Sequence, residues 1–170
     1  LVGVVSADTG RALPDYRAAE RTFQVLTQVA GRAGRGLLGG KVVLQTFAPD
    51  HYVIQSAARH DYFGFYRQER EHRRALGYPP FRKLVRLTYR HPKAEKAEME
   101  ARIVAGQMRS RIEREARGST EVIGPAPCFF NRIAGEYRWQ VILRGPDPAS
   151  LLRGREPENW RVEVDPVSML

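Results

Sequence analysis

Apolar positions in this chain follow several rhythms, and each predicts an element. Leu1 to Ala7 is a Val-rich apolar run, the pattern of a strand buried in a parallel sheet. From Pro14-Asp15, with Asp15 as cap, apolar residues recur at helical spacing through Phe23, Leu26, Val29 and Ala30. Leu37 to Gly40 reads as a glycine-rich exit and Lys41 to Phe47 as a second short strand. Strand, helix, strand predicts a βαβ unit with a right-handed crossover. A helix is expected from about His51 to Arg59 and a longer one from Asp61 to about Leu76, with Phe63, Tyr66, Arg70 and Arg73 at helical spacing. Gly77-Tyr-Pro-Pro-Phe81 ends it, because tandem prolines fix an extended segment. The expected boundary therefore separates residues 1–77 from residues 78–170.

The second part has a different order. Arg82 to Arg90 alternates charged and apolar residues, as a half-buried strand does. Lys93 to Arg117 is a long helix with Met99, Ile103, Met108 and Ile112 expected toward a core. Glu121 to Ile123 is a short strand, Glu136 to Arg144 alternates again, Asp147 to Leu152 is a short helix, and Arg161 to Asp165 is the last strand. The predicted order is βαββαβ, a ferredoxin-like split βαβ in a small α+β domain. Two strands in residues 1–77 are too few for a doubly wound sheet. That part is expected to be the end of a larger α/β domain whose other strands lie upstream, and the opening on Leu1 rather than Met fits a piece of a longer protein.

Composition narrows the function. Hydrophobic residues make up 42% and charged residues 28%, enough for a soluble core, and no apolar run is long enough to span a bilayer. Cys128 stands alone, which excludes an internal disulfide and a multi-cysteine zinc site, and a cytosolic setting fits. The formal net charge of +9, carried by an excess of arginine, is the footprint of a polyanion binder. No Ser-His-Asp order stands out, and there is no G-x-x-x-x-G-K-[ST] phosphate loop with an acidic Mg²⁺ motif beside it.

The chemistry concentrates in Gln28-Val-Ala-Gly-Arg-Ala-Gly-Arg35. On a helix, Gln28, Arg32 and Arg35 share one polar stripe, with Gly31 and Gly34 beside it offering bare backbone. Spacing alone leaves two readings. Gly34 and Gly36 end a helix whose last turn holds Arg32 and Arg35, which is the commoner arrangement, or the two cations face phosphate oxygens. Asp8, just past the first strand, is either a turn residue or a site residue. In the second part, alternation puts Tyr137 and Trp139 on one face of a strand and Arg138 on the other. Trp139 either packs against the long helix or, with Tyr137, offers a platform for a base, with Arg138 toward phosphates. Arg132 is expected in a loop before Ala134-Gly135, free to reach phosphate.

Asp15 to Arg35 resembles the last conserved motif of superfamily 2 helicases, in the version found in the PriA family of primosomal replication-restart helicases. The resemblance continues through Gly40 to Thr46, Asp61 to Glu71, Tyr78-Pro-Pro-Phe81, Ile123-Gly-Pro-Ala-Pro127, Tyr137-Arg-Trp-Gln140 and Val164-Asp-Pro166. The last two signatures are the specific ones and argue against other superfamily 2 helicases such as fork-reversal enzymes. The resemblance implies that residues 1–77 end a second RecA-like lobe, and that Arg32 and Arg35 reach across a cleft to ATP. Gln28 would orient them, Gly31 and Gly34 would support the site, and Asp8 would lie near the preceding motif. The phosphate loop and the Mg²⁺ carboxylates would sit upstream, as would the family's zinc-binding cysteines, so this segment alone should hydrolyse nothing. It also implies 3′→5′ unwinding, a C-terminal DNA-binding domain similar to a small-ribosomal-subunit protein, and forked and single-stranded DNA as partners. Single-stranded-DNA-binding protein, primosome proteins and a place at the bacterial nucleoid in the cytoplasm follow from the same resemblance. A restart scaffold of the same family with a decayed motor is the alternative it leaves open.

Overall fold

The computed structural model describes residues 2–33 and 41–170. The chain divides into two compact units, Leu1–His72 and Arg73–Leu170.

In the first unit, β1 (Val2–Val4) is followed by a single turn, α1 (Asp8–Arg11), then α2 (Ala18–Ala33) and β2 (Val42–Leu44). β1 and β2 pair in parallel with Val2 opposite Val42 and Val4 opposite Leu44, so the βαβ order is present. α2 begins at Ala18, two residues later than a cap at Asp15 predicts, because Asp15 serves the turn ahead of it. Its Oδ1 accepts from the Arg17 amide at 2.9 Å, its Oδ2 takes the Arg21 guanidinium at 3.1 Å, and its carbonyl accepts from the Ala18 amide. α3 (Tyr52–Ala58) and α4 (Tyr62–Leu76) follow. Phe23 and Leu26 of α2 pack with Val53, Ile54 and Ala57 of α3 and Phe65 of α4, the rings of Phe23 and Phe65 stacking at 4.2 Å. Buried Glu69 accepts a 2.6 Å hydrogen bond from the Tyr52 hydroxyl, which lets a carboxylate sit beside this core.

The second unit contains β3 (Lys83–His91), α5 (Ala94–Arg114), β4 (Glu121–Ile133), β5 (Glu136–Gly145), a 3₁₀ turn at Pro148–Leu151, and β6 (Arg161–Val164). The sheet order is β4-β5-β3-β6 with every neighbouring pair antiparallel. That is the split βαβ arrangement, its second crossover reduced to the 3₁₀ turn. Pro148 at its start, Gly154 at a φ of 65° and Pro157 leave room for little more.

The inner face of α5 matches the predicted one in part, with Met108 in the core and Ile112 packed against it. Ala97, Ala101, Val104, Ala105 and Met108 are buried, whereas Met99 and Ile103 are 52% and 46% exposed. The helix turns its small residues inward, which lets it lie close on Val85 and Leu87 of β3 and Val141 and Leu143 of β5. Weighting by side-chain size misplaces Met99 and Ile103 in the first half of the helix. β3 also departs from a half-buried strand, since Leu84 through Thr88 are buried on both faces. Val85 and Leu87 face α5. On the opposite face Arg86 meets Glu163 at 2.9 Å and donates to the carbonyls of Ser168 and Leu170 at 3.3 and 3.1 Å. The final residues therefore lie on that face.

Candidate functional site

Gln28, Gly31 and Arg32 occupy the exposed side of the last turns of α2. Neither Gln28 nor Arg32 has a side-chain partner among the described residues. A Cβ on Gly31 would meet nothing within 4 Å, and its backbone angle is one that any residue adopts. Packing inside the unit thus gives no reason for a glycine that costs about 1 kcal/mol relative to Ala in a helix. The stripe is bare backbone flanked by a permanent cation and an amide, an arrangement that can accept phosphate oxygens. Gly34 and Arg35 lie outside the described residues.

Asp8 is committed within the unit. Its Oδ2 accepts from the Phe47 amide at 2.8 Å, and its Oδ1 accepts from Thr46 Oγ1 and from the Arg11 guanidinium at 3.0 Å each. The Phe47 amide first, and the Arg11 bond next, hold its carboxyl below the ordinary carboxylate value. The carboxylate ties the start of α1 to the loop after β2 through Thr46 and Phe47, two bonds that position the region just past the strand ends.

The second group lies on the sheet of the other unit. On the face turned away from α5, β3 carries Arg86, Thr88 and Arg90, and β5 carries Ile142, Gln140 and Arg138 opposite them in register. Arg138 is buried at 7% exposure. Its Nη1 makes one long contact, 3.4 Å to the Phe130 carbonyl, and its Nε has no hydrogen-bond partner. Thr88 Oγ1 and Gln140 Oε1, cross-strand neighbours, are also buried without one. Cys128 sits among these charges. Burial raises its thiol above the usual value, while Arg138, Arg86 and Arg90 pull it back down.

The other sequence-predicted residues separate. Trp139 is half-buried on the face that carries Val141 and Leu143, in register with Tyr89 and Pro127. Tyr137 shares that face. Arg132 is on β4 rather than in a loop, since Ala134 and Gly135, at φ of 51° and 84°, close a two-residue turn. It stands opposite Tyr137 with its guanidinium 5.1 Å from the ring centroid, a cation–π contact at an exposed site. The strip that joins Arg138, Thr88 and Gln140 thus excludes Tyr137 and Trp139.

Sequence reasoning missed Phe129 and Phe130. Between the pairs Pro127–Trp139 and Arg132–Tyr137, β4 advances five residues while β5 advances two. The surplus bulges out and leaves Phe129 and Phe130 50% and 53% exposed, their rings edge-to-face at 5.0 Å. Alternation gave no signal for the pair, because β4 keeps no steady period of two and shifts register between Ile123 and Ala126 as well. Among the described residues, no group of three His, Cys, Asp or Glu side chains is arranged to hold a metal ion, and no helix is long and apolar enough to cross a membrane.

Known proteins align with this sequence along most of its length. Residues 74–167 match the family model described as the primosomal protein N C-terminal domain. The replication restart protein PriA of Bacillus subtilis (strain 168) is 42% identical over 167 residues, covering 97% of this chain and 20% of that protein. Those of Synechocystis and of Treponema pallidum (strain Nichols) are each 39% identical, over 99% and 100% of this chain and 21% and 27% of their own lengths. The chain thus spans about a fifth to a quarter of the curated relatives it matches. It belongs to the PriA family and corresponds to its C-terminal part, with the primosomal protein N C-terminal domain on residues 74–167.

Proposed function

We propose that this chain is the part of a replication-restart DNA helicase that completes an ATP site from one side and carries a DNA-binding domain. The observation that supports the first half is the α2 stripe. Gln28 and Arg32 are exposed without partners among the described residues, around a glycine that no neighbour requires. In this reading residues 1–77 end a second RecA-like lobe, and Arg32 and Arg35 meet the triphosphate across a cleft. Gln28 orients them, and Gly31 and Gly34 let the backbone approach. ATP with Mg²⁺ supplies the phosphoryl group, and the upstream part of the protein holds most of it. An arginine at the γ-phosphate stabilises charge spread over its oxygens and is worth ~10³–10⁵ in rate. Asp8 serves the same region by fixing the loop after β2 against the start of α1.

The second half rests on the guanidinium-rich sheet face and the net charge of +9. Forked and single-stranded DNA are the proposed substrates, with 3′→5′ unwinding by the whole protein. Single-stranded-DNA-binding protein and primosome proteins are the proposed partners, in bacterial cytoplasm at the nucleoid. In the complete protein, Arg35→Ala should cut DNA-stimulated ATP hydrolysis by at least ~10³-fold while leaving DNA binding in place. Hydrolysis at the parent rate would refute the arginine assignment. A complete protein that never hydrolysed ATP would point to the scaffold alternative.

A further inference from the structure

Two buried arginines share the sheet face turned away from α5, and only one is neutralised. Arg86, 5% exposed, has Glu163 at 2.9 Å and two tail carbonyls. Arg138, 7% exposed, has no ion-pair partner among the described residues and one hydrogen bond at the outer limit of length. A guanidinium carries five donors and cannot shed its proton. Burying it without a counter-charge is costly. Next to it, Thr88 and Gln140 each bury a polar atom that nothing meets, and exposed Arg90 stands directly across from Arg138 in the register. These groups line one spot on β3 and β5, where the Arg138 guanidinium and the Thr88 hydroxyl can donate to an anion, while Gln140 Oε1, which only accepts, calls for a donor.

The bulge of β4 indicates which anion. The carbonyl that Arg138 touches belongs to Phe130, and Phe129 and Phe130 are half exposed on the same bulge. Aromatic faces beside unneutralised guanidinium groups suit a nucleotide whose base is free to leave its stack. An acidic peptide would use the cations and leave the rings idle.

Resting on the nucleic-acid reading proposed for this unit, we infer that the β4 bulge and the adjoining sheet face form a nucleotide-binding site for single-stranded DNA. A base stacks on Phe129 or Phe130. A phosphate oxygen replaces the Phe130 carbonyl as the partner of Arg138, with Arg90 and the Thr88 hydroxyl as further donors.

The test uses the 170-residue chain, a fluorescent oligothymidylate and an abasic oligomer of equal length, with anisotropy read over a salt series and thermal unfolding run alongside. Arg138→Met should melt no lower than the parent, since it removes an unneutralised buried charge, yet bind about tenfold more weakly with a salt slope smaller by about one. The double variant Phe129→Ala, Phe130→Ala should bind oligothymidylate about tenfold more weakly and the abasic oligomer as the parent does. Arg90→Gln, at an exposed position, covers the case in which Arg138→Met fails to fold, and should also weaken binding and lower the salt slope. Arg102→Gln, on the outer side of α5, is the control and should change little. If the parent chain binds the oligomer while all site variants match Arg102→Gln, the site is overturned and the nucleic-acid reading stands. If the parent chain binds no oligomer at low salt, that reading fails and takes the site with it. A polyglutamate peptide that binds through Arg138 regardless of the two phenylalanines would also overturn the site.

Discussion

In the first unit every buried carboxylate is met by nearby donors, Asp15 by the Arg17 amide and Arg21, and Glu69 by Tyr52. In the second unit the buried polar residues are Arg86, Thr88, Thr120 and Arg138, and the buried atoms without a partner include Arg138 Nε, Thr88 Oγ1 and the Oε1 of half-buried Gln140. The first unit turns its buried carboxylates to holding structure, keeps one buried atom without a partner at Arg11 Nε, and leaves Arg32 exposed on a helix end. The second holds structure with a continuous apolar core under α5 and leaves polar capacity on the opposite sheet face. The difference teaches where each unit's function depends on long-range order. The α2 stripe needs only a helix, because positions four apart share a side. The sheet face needs three strands in register, so it exists only while the core of the second unit is intact.

That dependence can be broken most strongly at Leu87, which lies between Arg86 and Thr88 on β3 and points into the core with no exposure. Leu87→Ala should cost about 2–5 kcal/mol in urea unfolding. A loss under ~1 kcal/mol would mean that the strand is not anchored by its apolar side and that the contrast between the units is misplaced. A smaller effect of opposite sign is expected at Gly31. Gly31→Ala should stabilise the chain by about 0.5–1 kcal/mol, since the added methyl meets no atom within 4 Å. Destabilisation there would show that the helix end is a folded requirement rather than a surface left open.

The finest test is pH. Burial, then the charges of Arg11 and His72, hold the His51 imidazole below its ordinary value of 6.5. Its Nδ1 accepts from the Val53 amide at the start of α3, which requires the unprotonated nitrogen. As pH falls through 6.5 the unfolded chain takes up a proton that the folded chain refuses. This contribution to stability is therefore complete above that value and lost below it. His51→Asn keeps a capping acceptor and should flatten that part of a urea-midpoint profile taken between about pH 5 and 8. A profile as steep as the parent's would move the titration to another group.

Legibility followed the same division. Gln28 and Arg32 were readable as one stripe because helical period alone places them. The strand and helix order of the second unit was readable because each element carries its own rhythm, and alternation placed Trp139 and Arg138 on opposite faces. What alternation cannot convey is register. Nothing local in the sequence says that β4 spends five residues against two of β5, so the exposure of Phe129 and Phe130 and the position of Arg132 on a strand stayed hidden. The burial of Arg138 was hidden for the same reason, since it depends on which residues from other strands surround it. Asp8 was readable as a strand-end residue, but its partners Thr46 and Phe47 arrive from 38 and 39 positions away.

The inward alanines of α5 have a consequence for how this domain can drift. Ala97, Ala101 and Ala105 act as a gauge for the gap between helix and sheet, with no exposed surface at any of them. A methylene added at the gauge would lift the helix and loosen the sheet whose far side carries the arginines. Met99 and Ile103 on the outside can be exchanged for almost anything. Descendants of this sequence are free to change the conspicuous residues of the helix and are held to its plainest ones.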